Sequence, residues 1–358
     1  MTQRERQILE LIEANPMITQ EELAEKLGIT RSSVAVHISN LTKKGPIAGR
    51  GYILRSGTYV VVVGGANVDI CGRSWAPLVQ ADSNPGLVGM SIGGVGRNIA
   101  HNLSLLGADV RMLTACGDDL HGQQLCTAST AAGIDMSHVL KLRDERTSTY
   151  LYITGPDGDM ALAVSDMTIC ERIGPEYLAD HLALLQNARA VVCDTNIPAE
   201  SLRYLAENCT APLFCDPVST IKAEKLRPIL GSIHTLKPNR LEAELLSGQT
   251  ADGPGGIEAV ANKLTELGLH RMFISMGGDG VYAAMGKEKL QLANIPGNMV
   301  NTTGCGDAFM AALVWAYLQG SDLETTARAG LAAGSIAMES AETINSLMSE
   351  NALRNRMN

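Results

Sequence analysis

The run Asn301-Thr302-Thr303-Gly304-Cys305-Gly306-Asp307 leads straight into an apolar stretch ending at Leu318. Small residues there let successive backbone N–H groups converge at a helix N-terminus, where the dipole favours an anion. A carboxylate at that place gains nothing from a phosphate, but it is placed to take a proton from a hydroxyl attacking one. The plainer alternative is a first-turn acid, and the flanking Gly304 and Gly306 favour chemistry over it. A second run, Gly93-Gly94-Val95-Gly96-Arg97-Asn98, opens another helical stretch through Leu106. Alone it is a weak signal. The pattern shows no strand directly before Gly93 and no acidic residue at the ribose distance behind it, which disfavours a dinucleotide site.

Elements that position such runs are legible in the β-branched segments. Strands are expected at 59–63, 110–114, 190–193, 213–215, 235–236 and 272–275, with amphipathic helices near 119–132, 199–207, 239–247 and 257–267. Strands alternating with helices imply an α/β, doubly wound, mostly parallel sheet. Ligands in such sheets sit at the carboxyl ends of the strands. Segment 308–318 is too short to span a bilayer and reads as a core helix.

Residues 1–55 read as a separate small domain. Ile8, Leu9, Leu11 and Ile12 recur at helical spacing, and Asn15-Pro16 ends that helix. Thr19-Gln20-Glu21-Glu22 forms a capping box for a second helix that stops at Gly28. A third helix from about Arg31 to Lys43 turns Val34, Ile38 and Leu41 inward and is expected to expose Arg31, Ser32, Ser33, Ala35, His37 and Asn40. Helix, glycine-containing turn, helix is a DNA-reading arrangement, and these side chains suit phosphates and base edges. Segment 47–54 is expected to pair as a wing with Arg50 at its tip. The segment resembles bacterial winged helix-turn-helix regulators; a three-helix docking module is the alternative. Ser56-Gly57-Thr58 reads as the joint to the second domain, 56–358.

Charge supports the division. Residues 1–55 hold eight Lys/Arg against six Glu, net +2, whereas the rest holds 21 basic and 32 acidic residues, net −11. The eight cysteines lack metal-ligand spacing, so neither a zinc site nor a disulfide framework is indicated. With no secretory h-region and no membrane-spanning run, a cytoplasmic protein without membrane attachment is expected.

Residues from about 59 to 345 resemble the PfkB (ribokinase-like) family of sugar and nucleoside kinases. Four ordered blocks carry the resemblance: 93–98, 302–307, Lys237-Pro238-Asn239-Arg240-Leu241-Glu242, and Ser275-Met276-Gly277-Gly278-Asp279-Gly280. It implies that excursions 70–92 and 147–170 form a β lid over the substrate. It further implies ATP as donor, Asp307 as base, and the Gly304, Cys305 and Gly306 amides as stabilisers of the moving phosphoryl group. Asn239 and Glu242 would organise Mg²⁺, while Asn239, Ser275, Gly277 and Gly280 would line ATP. Asn67, Asp69, Gly94 and Asn98 would hold sugar hydroxyls. Two departures stand out: Asn301 replaces the family's Asp, which bears on a monovalent cation such as K⁺, and Cys305 replaces its Ala.

Closer resemblance is to the family's pseudouridine-phosphorylating members, through Ala81-Asp82-Ser83-Asn84-Pro85-Gly86, Ser165-Asp166-Met167 and the segment 234–244. It implies a pseudouridine acceptor, Asp166 at the nucleobase edge, a homodimer, and a pathway link to a pseudouridine 5′-phosphate glycosidase. The alternatives are another nucleoside or pentose, and a ligand-sensing regulator without turnover.

Overall fold

The computed structural model describes residues 2–15, 18–47 and 58–358. Helices Gln3–Ala14, Gln20–Leu27 and Arg31–Lys44 pack around Ile8, Ile12, Leu23, Val34, Ile38 and Leu41. Capping boxes start the first two helices, at Thr2/Glu5 and Thr19/Glu22. Buried Glu5 also accepts from Lys44 Nζ at 2.9 Å, tying the first helix to the end of the third. Arg31 and Ser32 are exposed as expected, but Ser33, Ala35, His37 and Asn40 are half-buried because they flank the inward stripe. Val36 and Ser39, away from that stripe, are exposed instead. The expected wing with Arg50 and the joint at 56–58 lie outside the described residues, save Ile47 and Thr58.

The second domain is built on a nine-stranded sheet. Seven strands run parallel in the order Ile134–Asp135, Asp109–Leu113, Tyr59–Val63, Ala190–Asp194, Leu213–Asp216, Thr235–Leu236 and Arg271–Ser275. Val281–Met285 and Glu288–Leu292 extend it antiparallel, an edge hairpin that the sequence reading did not anticipate. Alternation along one strand shows how the two cores divide. Val60 and Val62 face helices Val95–Leu105, Cys305–Leu318 and Leu323–Ala337, while Val61 and Val63 face Ala199–Asn208, Arg240–Ser247 and Gly256–Glu266. Because helices cover both faces, the strands read as continuous apolar runs rather than alternating ones. Helix Cys305–Leu318 is buried from Ala308 to Ala316 and fixes the Asp307 end rigidly against the sheet.

A separate four-stranded sheet, built largely from segments 70–92 and 147–170 where a lid is expected, has the order Gly86–Gly93, Asn67–Ser74, Thr149–Thr154, Met160–Asp166. One expectation is corrected here: a strand does run directly into Gly93. Its glycines and exposed positions hide the alternation that would mark it. It is an antiparallel lid strand, so the turn at 93–98 still lacks the parallel strand of a dinucleotide fold. Among the described residues no helix is long and apolar enough to cross a membrane.

Candidate active site

The carboxyl ends of two parallel strands and the head of one helix bring three carboxylates together. Strand Ala190–Asp194 ends in buried Asp194, whose Oδ2 accepts from the amides of Gly65 (2.9 Å) and Gly96 (2.7 Å) and whose Oδ1 accepts from Asn196 N (2.8 Å). The approach is close: a Cβ added at Gly64 would lie 2.5 Å from Asp194 Oδ2 and 3.2 Å from Gly96 Cα. Only glycine lets these backbones converge. Strand Leu213–Asp216 ends in Asp216, which pairs with buried Lys237 at 3.1 Å. Burial lowers the Lys237 pKa, but the charges of Asp216, Glu242 and Asp307 outweigh it and hold the ammonium above its usual value.

Asp307 completes the group at the head of helix Cys305–Leu318. Gly304 caps that helix at φ 84°, and a Cβ there would lie 2.3 Å from Thr343 O, so both conformation and space demand glycine. A Cβ on Gly306 would stand 3.2 Å from Lys237 Nζ, which places the lysine beside the anion-binding turn. Asn98 Nδ2 donates to Asp307 Oδ2 at 2.9 Å. Burial, aided by the Asp216 charge, pushes the Asp307 carboxyl up to about 8, against the opposing Asn98 bond and Lys237 charge. Burial also raises the Cys305 thiol. A carboxyl that releases its proton near neutrality suits a general base.

The residues expected to hold sugar hydroxyls adjoin these carboxylates. Gly94 caps helix Val95–Leu105, and Asn67 Nδ2 donates to Asp69 Oδ1 at 2.6 Å. Burial raises the Asp69 pKa, opposed by the Asn67 bond and nearby Arg97. Asn98 Oδ1 is buried without a partner among the described residues. Asn196 accepts from Lys222 Nζ at 2.6 Å at the rim. Asp166 does not join them. Register pairs it with Thr149 and thence Val68, whereas Asp69 pairs with Tyr150, so the two aspartates occupy opposite faces of the lid. Its Oδ1 instead accepts from Thr168 N and Oγ1.

Of the residues expected at the nucleotide, Asn239 and Glu242 form a capping box: Asn239 Oδ1 accepts from Glu242 N at 2.9 Å, and Glu242 Oε2 accepts from Asn239 N at 2.8 Å. Glu242 is buried, not a solvated helix face, and burial raises its pKa. Ser275 N donates to Pro238 O at 2.9 Å, which brings the Gly277–Asp279 turn and Gly280 beside the 237–242 block. All four sequence blocks thus converge on one cleft. Asp194, Asp216 and Lys237 were not singled out from sequence; the signal was a strand-final Asp in both Val-Val-Cys-Asp and Leu-Phe-Cys-Asp.

Comparison with known proteins agrees. The family profile "pfkB family carbohydrate kinase" matches residues 57–350. This chain belongs to the PfkB family. A winged helix-turn-helix DNA-binding profile matches residues 1–47. The chain is similar to the pseudouridine kinase of Escherichia coli, 42% identical over 294 residues, covering 82% of this chain and 94% of that protein. An uncharacterized sugar kinase of E. coli is 39% identical over 99% of this chain and 98% of its own length. The crystal structure of a putative sugar kinase from Clostridium perfringens superposes with a TM-score of 0.76 at 29% identity, covering 84% of this chain and 96% of that one. As a PfkB member the chain is a phosphotransferase with an alcohol acceptor, of ribokinase-like fold.

Replacing Asp307 gives a two-sided test. Asp307→Asn should lower kcat by roughly 10²–10⁴-fold, and wild-type kcat/KM should rise with pH through about 8. The folded carboxyl keeps its proton to that pH, whereas an unfolded one releases it near 4. Wild-type stability therefore falls as pH rises across this window. In thermal melts the amide variant should match wild type near pH 4 and exceed it at pH 8; equal melts throughout would show that Asp307 titrates normally.

Proposed function

We propose that this chain transfers the γ-phosphate of ATP to the 5′-hydroxyl of pseudouridine, giving pseudouridine 5′-phosphate. The observation that carries the reading is Asp307, hydrogen-bonded by Asn98 at the mouth of the Gly304–Gly306 turn, in a chain 42% identical to a pseudouridine kinase. Asp307 accepts the hydroxyl proton as the new O–P bond forms and the bond to the ADP oxygen breaks. The Gly304, Cys305 and Gly306 amides and Lys237 face the charge on the moving phosphoryl group. The unpartnered Asn98 Oδ1, with Asn67, Asp69 and Gly94, takes the ribose hydroxyls. Ser275, Gly277 and Gly280 line the nucleotide.

Among the described residues no cluster of three His, Cys, Asp or Glu forms a metal cage. The capping box also occupies Asn239 Oδ1 and one oxygen of Glu242. These donors fit a Mg²⁺ ion that arrives on the nucleotide's phosphates and keeps its waters, with Glu242 holding it from the protein side. When bound, Mg²⁺ neutralises charge on those phosphates. Position 301 does not fit a K⁺ ligand of the family's kind. It offers a neutral amide whose Oδ1 already accepts from Thr303 N and whose Nδ2 donates to Ala341 O.

An ADP-release screen over nucleosides and free pentoses tests the acceptor. Pseudouridine should give the highest kcat/KM. Turnover of a pentose with none of any nucleoside would overturn the nucleoside reading, and no turnover at all would favour a ligand sensor. A glycosidase acting on pseudouridine 5′-phosphate is the matching next step, in a cytoplasm that keeps the eight thiols reduced.

For residues 1–55 we propose DNA binding, supported by the helix-turn-helix geometry and the local basic excess. Arg31 is now paired with exposed Glu21 at 3.0 Å and would exchange that weak partner for a phosphate. Binding should fall steeply with salt, and deleting residues 1–55 should abolish it while sparing kinase turnover. A genome-wide binding assay with no enriched site would leave a docking module.

The homodimer finds support in the lid. Val88, Met90, Leu151, Leu162 and Val164 lie exposed on one face of it, an apolar sheet surface that a second copy would cover. Light scattering should show a dimer that Val164→Asp splits; a monomeric wild type would remove this part.

A further inference from the structure

The two faces of the lid differ in chemistry. The face opposite the apolar one begins at the substrate residue Asp69, and register lays it out in rows. Ser91, Asp69, Tyr150 and Ser165 form the first row; Gly89, Cys71, Tyr152 and Ala163 form the next. Successive rows on one face stand about 7 Å apart. Apart from the tyrosines, every residue flanking Asp69 and Cys71 in these rows is Gly, Ala or Ser. The two rings thus rise from a floor with no bulk to cover them. Their centroids lie 5.6 Å apart at 33°, both rings are half-buried, and Tyr150 Oη donates to Met160 Sδ at 3.5 Å, which braces the first ring. Burial and the neighbouring Cys71 push the Tyr152 hydroxyl up to about 12, so it stays neutral.

We propose that Tyr150 and Tyr152 form a platform on the inner lid face that stacks a neutral nucleobase and thereby selects nucleosides over free pentoses. The proposal rests on the reading of the acceptor as a nucleoside. A sugar whose ring hydroxyls sit on Asp69 carries its base into the next row, where an aromatic face supplies stacking that any flat heterocycle accepts. A free pentose does not reach that row and leaves the Tyr152 ring uncovered. Among the described residues, the cations near these rows are turned to backbone carbonyls, Arg97 Nη1 to Ile92 and, in the third row, Arg73 Nη2 to Pro156, so the rings offer an uncharged surface to an uncharged base.

The test uses the full-length protein and its Tyr150→Ala, Tyr152→Ala and corresponding Phe variants, assayed by ADP release with pseudouridine, uridine and ribose. Each Ala variant should raise nucleoside KM about ten- to hundredfold with kcat little changed. Ribose kcat/KM should stay within about twofold, and the Phe variants should retain nucleoside KM. A parallel loss on ribose and nucleosides would show that the tyrosines only hold the lid together and would overturn the platform. Unchanged nucleoside KM in both Ala variants would overturn it as well. A wild type that phosphorylates ribose but no nucleoside refutes the nucleoside reading itself, a result distinct from either of these.

Discussion

Three carboxylates, Asp194, Asp216 and Asp307, meet at the carboxyl edge of one sheet, and like charges in a poorly solvated place resist ionising together. The structure answers each one differently. Asp194 receives three backbone amides, Asp216 receives the Lys237 ammonium and the Val218 amide at 2.9 Å, and Asp307 receives the Asn98 amide. The least satisfied of the three is the one whose proton is loosely held near neutrality. Burial, with the Asp216 charge beside it, thus leaves Asp307 the carboxyl poised near neutrality.

Much of the surrounding backbone exists to make that division possible. Gly64 and Gly96 let two chain segments close on Asp194, so the phosphate-type turn at 93–98 is also the support of a buried acid. Beyond Asp216, Val218 adopts φ 62°, an uncommon conformation for a β-branched residue. Its amide is held by Asp216 Oδ1, and Thr195 Oγ1 donates to Pro217 O at 2.5 Å. Such strain persists where neighbouring bonds over-determine it, and it gathers at sites that work. The Asn239–Glu242 capping box serves twice as well, starting a helix and fixing a carboxylate at the nucleotide side.

The lid follows a different logic. Its outer strands are largely exposed, so burial decides few of their side chains; what each face meets does. One face is apolar and the other carries Asp69, Cys71 and the tyrosine pair. A one-residue slip in register would exchange the two sets, which is why Asp166, one position beyond Ser165, leaves the substrate face.

The sequence by itself determined the local devices. Glycine-rich turns, a first-turn acid, the capping box at Thr19 and β-branched runs each follow from residues a few places apart. That is enough for the α/β class, the helix-turn-helix order and the four kinase blocks. Proximity across the chain was decided only by tertiary structure. Asp194, Asp216 and Lys237 are far from Asp307 in sequence, and they meet because parallel crossovers bring successive strand ends to one edge. The strand entering Gly93 and the outer hairpin strand Glu288–Leu292 were obscure for the complementary reason: weakly buried strands carry little periodicity, and their partners, not their own residues, make them strands. Which face of the lid a side chain takes is likewise a property of register between strands distant in the chain.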